Sequence, residues 1–117
     1  MTKCRAKGNQ GNWFAEVTAP RHPEIDGRSF PCIWDYWWVK GSKSYRDTGY
    51  DPTNLRWRPV VQALQIHGLA IMRKRKPPFE EDHWESGGYI AVFRVENVNC
   101  DTALTFDIVE RICDLSN

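Results

Sequence analysis

From Gly88 to Val98 the chain reads Gly-Tyr-Ile-Ala-Val-Phe-Arg-Val-Glu-Asn-Val. Successive side chains of a strand point to opposite faces. Tyr89, Ala91, Phe93 and Val95 therefore fall on one side, with Ile90, Val92, Arg94 and Glu96 on the other. The second set starts apolar and ends charged, which is how a strand reads when part of one face meets water. This segment commits the chain to a sheet, and the rest is read around it.

Trp13 to Val17 has the aromatic and β-branched density of a short first strand, and Ala19-Pro20 breaks it. Asp26-Gly27 marks a turn. Ser29 to Val39 is the most apolar stretch, with Pro31 placing its start at an edge or a strand beginning. Lys40 to Lys43 reads as a turn, and Tyr45 to Pro52 as an exposed loop. Helical spacing of Val60, Val61 and Leu64, with Pro59 before and Gly68 after, predicts one helix over residues 59–67. Leu69 to Met72 resumes as a strand. Residues 77–87 form a Pro-rich and then acidic loop. Residues 103–112 fit a strand by the alternation of Leu104, Phe106 and Ile108. The same tail would also line a helix through Leu104, Ile108, Val109, Ile112 and Leu115; Thr105, Phe106, Ile108 and Val109 favour the pleated reading.

These segments predict an α+β fold: a curved, mostly antiparallel sheet or partial β-barrel of about five strands, with one main helix packed against it. The helix stripe is expected to share a core with Ile71, Ile90, Val92 and Phe106. At 117 residues the chain suits one domain, expected over residues 12–117 after a flexible polar arm at 1–11. Six Trp and a net charge of +1 exclude a disordered polyelectrolyte. No apolar run opens the chain as a secretory signal would, and none approaches the roughly 20 residues that span a bilayer. A cytoplasmic protein with reduced thiols is expected, with no membrane partner.

Charge is clustered where the total is not. Arg73-Lys74-Arg75-Lys76 directly follows an apolar strand, and Glu80-Glu81-Asp82 with Glu85 comes soon after. Trp34, Tyr36, Trp37 and Trp38 lie within five residues. On a strand they would point to both faces, leaving some rings at the surface. Rings beside cations suit nucleic acid: bases stack for about 1–3 kcal/mol each, and Lys and Arg neutralise phosphate. The expected nucleic-acid-binding set is Trp34, Trp37 and Trp38 with Arg73, Lys74, Arg75 and Lys76. Against it stand core-filling Trp residues and a hairpin neutralised by its own acidic neighbours.

Other chemistry is thinner. Glu80, Glu81, Asp82, His83 and Glu85 could hold a divalent cation, although a single loop rarely supplies a converging ligand set. Cys4, Cys32, Cys100 and Cys113 match no common zinc spacing. Neither a metal ligand set nor a cofactor is therefore expected. Cys32 and His67 could meet in space, but no nucleophile elbow or phosphate-cradling Gly-rich loop is present, so no catalytic residue is assigned.

Residues 85–98, Glu-Ser-Gly-Gly-Tyr-Ile-Ala-Val-Phe-Arg-Val-Glu-Asn-Val, followed by a strand near Leu104 to Ile112, resemble the closing strands of PUA-like domains of the ASCH and EVE type. Asn12-Trp13-Phe14 fits their early strand. The mid-chain Gly-Asp segment of those domains is missing here. The resemblance implies a small barrel that binds RNA or a modified base in an aromatic cleft. Asp51-Pro52-Thr53, the helix ending at His67-Gly68 and Trp84 ahead of Gly87-Gly88 are similar in order to the 19-kDa RNA-binding subunit of the signal recognition particle. Its basic loop is reduced here to Lys40, Lys43 and Arg46, and its basic tail is absent. Both resemblances imply RNA. The expected function is non-catalytic recognition of nucleic acid or a nucleotide, with RNA or DNA as partner. The alternatives are a protein-interaction module with an aromatic hot spot and a small metal-dependent hydrolase built on His83.

Overall fold

The computed structural model describes residues 4–8 and 13–116. Its strands are β1 (Cys4–Gly8), β2 (Phe14–Thr18), β3 (Ser29–Trp34), β4 (Ser44–Asp47), β5 (Leu69–Lys76), β6 (Glu85–Cys100) and β7 (Leu104–Ser116). A 3₁₀ turn at Asp35–Trp37 follows β3, and one α-helix, α1 (Trp57–His67), precedes β5. The sheet runs β1-β2-β3-β5-β6-β7-β4, and a further pairing of β1 with β7 closes six of the strands into a ring. Pairings are antiparallel except β3 with β5 and β1 with β7.

This corrects the expectation of an α+β fold with about five strands. The described residues form seven strands and one α-helix, a predominantly β architecture. Two strands came from segments read otherwise. Cys4–Gly8 lies within the supposed polar arm, yet it pairs with β2 from Arg5↔Thr18 to Gly8↔Ala15; the rest of that arm lies outside the described residues. Ser44–Asp47 lies at the supposed exposed loop, yet it pairs with β7, Tyr45 opposite Phe106. Both segments alternate in burial but over only five and four residues, too short a run to stand out, and long-range pairing decides them.

The tail is a strand, as Thr105, Phe106, Ile108 and Val109 favoured, and it extends to Ser116. Register shifts in its pairing with β6, at Val92/Phe93, Arg94/Val95 and Glu96/Asn99, mark bulges that bend a strand and raise its twist. That bending lets β7 serve β4 near one end and β1 near the other.

Two cores lie on the two faces of this sheet. Cys4, Ala15, Val17, Phe30, Ile71, Val92, Cys113 and Leu115 include a residue from every ring strand, so they fill the barrel interior. The second core gathers Val60, Val61 and Leu64 of α1 with Ile33, Met72, Phe93, Val95, Leu104, Phe106 and Tyr45. The helix stripe thus shares a core with Phe106 and packs near Ile90, but Ile71 and Val92 belong to the opposite face. Positions 69–72 and 91–93 are buried on both sides, so hydropathy alone could not say which side of the sheet each residue takes.

The helix begins two residues before its expected start. Pro lacks only an N–H, and the first turn leaves its N–H groups without intrahelical partners, so Pro59 marks the first turn and not its first residue. Asn54 leads the chain in: its carbonyl accepts from Trp57 N–H at 3.1 Å and its Oδ1 from Arg56 N–H at 3.0 Å. Gly68 ends the helix at φ +63°, donating to Leu64 O, a left-handed geometry suited to Gly.

Candidate nucleic-acid interface

The aromatic cluster does not continue β3 as an alternating strand. After Trp34 the backbone winds into the 3₁₀ turn, closed by Trp38 N–H donating to Asp35 O at 3.0 Å. Asp35 then accepts from Arg75 N–H at 2.9 Å, which docks the turn on β5. Tyr36 and Trp37 consequently meet edge-on, centroids 5.0 Å apart, and both contact Trp84, while Trp38 packs on Phe93.

Parallel register sets the first pairing of ring and cation. Trp34 of β3 lies beside Arg73 of β5, and the Arg73 guanidinium sits 4.1 Å from the Trp34 ring centroid. The basic run is itself a strand, so its cations alternate: Arg73 and Arg75 are buried, Lys74 and Lys76 exposed. A projecting hairpin of four free cations, as the sequence suggested, is replaced by two that point inward and two that meet solvent.

Arg75 is enclosed by rings. Its guanidinium carbon lies 3.5 Å from the Trp84 centroid, 4.4 Å from Tyr36 and 5.4 Å from Phe79. Its Nη2 donates to Glu80 O at 2.6 Å and His83 O at 3.0 Å. This pins the 77–84 loop over the turn and brings Trp84 into parallel contact with Trp37, centroids 5.6 Å apart and planes 23° apart. Arg75 is therefore a positioning residue for the aromatic wall and is not free for phosphate.

A pocket of about 510 Å³ opens beside this wall. Five indoles line it: Trp13, Trp34, Trp37, Trp57 and Trp84. Trp57 comes from the first turn of α1 and meets Trp13 edge-on at 4.9 Å. Polar groups enter between the rings, from Arg73, Asp47, Asn54 and Ser86. Among the described residues the Arg73 Nε is buried with no hydrogen-bond partner. Asp47 is 5% exposed; burial pushes its carboxyl up to about 6, opposed by the bond it accepts from Gly49 N–H at 2.8 Å. Beside it, Tyr45 accepts from Trp34 N–H at 3.2 Å and stacks on Phe106. Burial, and then the Asp47 carboxylate, hold the Tyr45 hydroxyl protonated.

Of the sequence-predicted set, Trp34, Trp37 and Arg73 come together in the pocket. Trp38 does not line it; its ring packs on Phe93, and its Nε1 donates to Ser42 O. Lys74 and Lys76 lie on the outer face of β5, where Lys76 reaches Glu85 at 3.2 Å. Sequence reasoning missed Trp13, Trp57, Trp84, Asp47 and Asn54 as pocket residues. The Trp count was the available signal, but these residues come from four separate segments.

Neither alternative chemistry is assembled at this site. Burial pushes the Cys32 thiol up to about 11, so it is no nucleophile near neutrality. His67 is engaged with Arg28 at 3.1 Å. The 80–85 segment spends its Glu80 and His83 carbonyls on Arg75, and among the described residues it brings no three metal-binding side chains together. Among the described residues no helix is long and apolar enough to cross a membrane. No family model, curated protein or solved structure matches the chain.

Proposed function

We propose that this protein recognises single-stranded nucleic acid or a nucleotide without catalysing a reaction, by taking an unstacked base into the indole-lined pocket. The observation that carries the proposal is the convergence of five Trp rings with Arg73, Asp47 and Asn54 around a space of about 510 Å³. Small-molecule sites have volumes of about 300–1,000 Å³ and are mostly apolar with a few placed polar groups. A nucleobase fits this chemistry: flat faces for the rings, and edge donors and acceptors for a guanidinium, a carboxyl and an amide. Lys74 and Lys76, exposed on the strand that carries Arg73, would meet backbone phosphates flanking the base. A PUA-like relationship is part of this proposal, supported by the barrel ring and the aromatic cleft.

The test is quenching of the intrinsic Trp fluorescence by short single-stranded RNA and DNA, repeated across a salt series. Saturable quenching that weakens with salt, and weakens at least fivefold in Trp34→Ala, is expected. Absence of quenching by every oligonucleotide and free nucleotide tried would overturn the reading. Capture of a protein with salt-insensitive affinity would replace it with the interaction-module alternative.

A further inference from the structure

The barrel closes at a seam between β1 and β7. Among the described residues the two strands share the parallel pairs Cys4↔Leu115 and Arg5↔Ser116, with Ser116 Oγ donating to Cys4 O at 3.4 Å. Two cysteines flank that seam, Cys4 on β1 and Cys113 on β7, both 9% exposed. The loop between β2 and β3 brings His22 to the same place. One ligand atom from each of Cys4, His22 and Cys113 lies within 4.8 Å of the others.

These three residues are far apart in the chain, and local geometry holds each of them. Cys4 and Cys113 are fixed by strand pairing. His22 sits in a turn in which its N–H donates to Ala19 O at 2.8 Å, while its own carbonyl accepts from Ile25 and Asp26. Asp26 in turn accepts from Ala19 N–H at 2.8 Å. The His22 Nδ1 faces Glu24 Oε1 at 3.6 Å. This is ion-pair distance, beyond hydrogen-bond range; a carboxylate that closes onto one ring nitrogen is the usual outer partner of a metal-bound imidazole.

We propose that Cys4, His22 and Cys113 bind a zinc ion that staples the β1–β7 seam, with Glu24 orienting His22. Two thiolates and an imidazole select a soft or borderline cation over calcium or magnesium, which take oxygen ligands. Zinc accepts this donor set in tetrahedral geometry. The two thiols lose their protons to solvent as the metal enters. Three donors from the described residues leave one tetrahedral position for a solvent molecule or another ligand. The site is separate from the indole pocket, and neither proposal depends on the other.

The full chain, purified under reducing conditions without chelator, is analysed for metal content and titrated with Zn²⁺ against a chromophoric competitor. One zinc per chain is expected. Co²⁺ substitution should give intense visible bands of a tetrahedral thiolate site together with a thiolate-to-metal charge-transfer band. Cys4→Ser and Cys113→Ser should lose the charge-transfer intensity of the removed thiolate. Glu24→Gln, which leaves every ligand in place, should weaken zinc affinity about 10–100-fold with an unchanged circular dichroism spectrum. Folded, reduced wild-type protein that takes up neither metal would overturn the proposal. So would a non-reducing peptide map that finds a Cys4–Cys113 disulfide in the protein as isolated.

Discussion

The guanidinium of Arg75 stacks on the ring of Trp84, 3.5 Å from its centroid, while one of its nitrogens donates to the carbonyls of Glu80 and His83. One side chain thus fixes both the path of the 77–84 loop and the orientation of a pocket-lining indole. The strand alternation that buries Arg75 also exposes Lys74 and Lys76, so the basic run divides into a structural half and a solvent-facing half.

Replacing Arg75 tests that division first. Arg75→Ala leaves two carbonyls without their donor and removes the cation from three rings, so a loss of about 2–3 kcal/mol is expected. Arg75→Lys should recover less than half of it, because an ammonium cannot both stack flat and reach two acceptors. Urea unfolding measures both variants. A loss under about 0.5 kcal/mol in Arg75→Ala, within the range of ordinary surface substitutions, would show that the cage contributes little.

The solvent-facing half should behave differently. Lys74→Ala is expected to leave stability unchanged and to reduce the slope of log affinity against log salt by about 1 for an oligonucleotide. Lys76 already reaches Glu85, so Glu85→Gln should strengthen binding by releasing it. Salt slopes that are identical in wild type and Lys74→Ala would remove this lysine from the phosphate path.

Much of this arrangement was legible in the residues, and the rest failed for identifiable reasons. The strand at residues 88–98, the stripe of Val60, Val61 and Leu64, and the stop at Gly68 are local signals, and local structure follows them. The exception is Tyr89 and Ile90, which take the opposite faces from those their alternation predicts, next to a register shift against β5. Strands β1 and β4 carry little local preference and exist through partners distant in the chain. The Trp34–Trp38 stretch misled because its apolar density mimics a strand, while Asp35 bonding to Arg75 N–H favours a turn. Three members of the site, Trp34, Trp37 and Arg73, stand out in the sequence as clustered rings and cations. That Trp34 and Arg73 touch depends on a parallel register no sequence pattern reveals.

Neighbouring tryptophans separate stacking from packing. Trp37 faces the pocket and Trp84, whereas Trp38 leans on Phe93 and ties to Ser42. Trp37→Ala should cost about 1–3 kcal/mol of oligonucleotide affinity, measured on the folded fraction because Trp37 also packs on Tyr36 and Trp84. Trp38→Ala should do the reverse, losing about 2–3 kcal/mol of folding stability through the void left at Phe93 while the folded fraction binds normally. Equal binding losses in the two variants would place the contact surface elsewhere.

The carboxyl of Asp47 makes the last prediction, and its sign is unusual for an acid. Burial raises it to about 6 in the folded state, against roughly 3.9 for an unfolded Asp. Between these values the folded state holds a proton that the unfolded chain has released. Stability from this group is therefore fully present below about pH 4 and is lost as the pH rises through 6, by an amount on the order of 3 kcal/mol. Asp47→Asn keeps the acceptor for Gly49 N–H and removes the titration. The variant should be the more stable protein at pH 7, with the advantage shrinking to nothing near pH 4. Carboxylates elsewhere titrate equally in both proteins, so the difference between their urea midpoints, plotted against pH, isolates Asp47. Two parallel profiles would show that Asp47 keeps an ordinary carboxylate's proton affinity, and that it sits in the pocket as an anion.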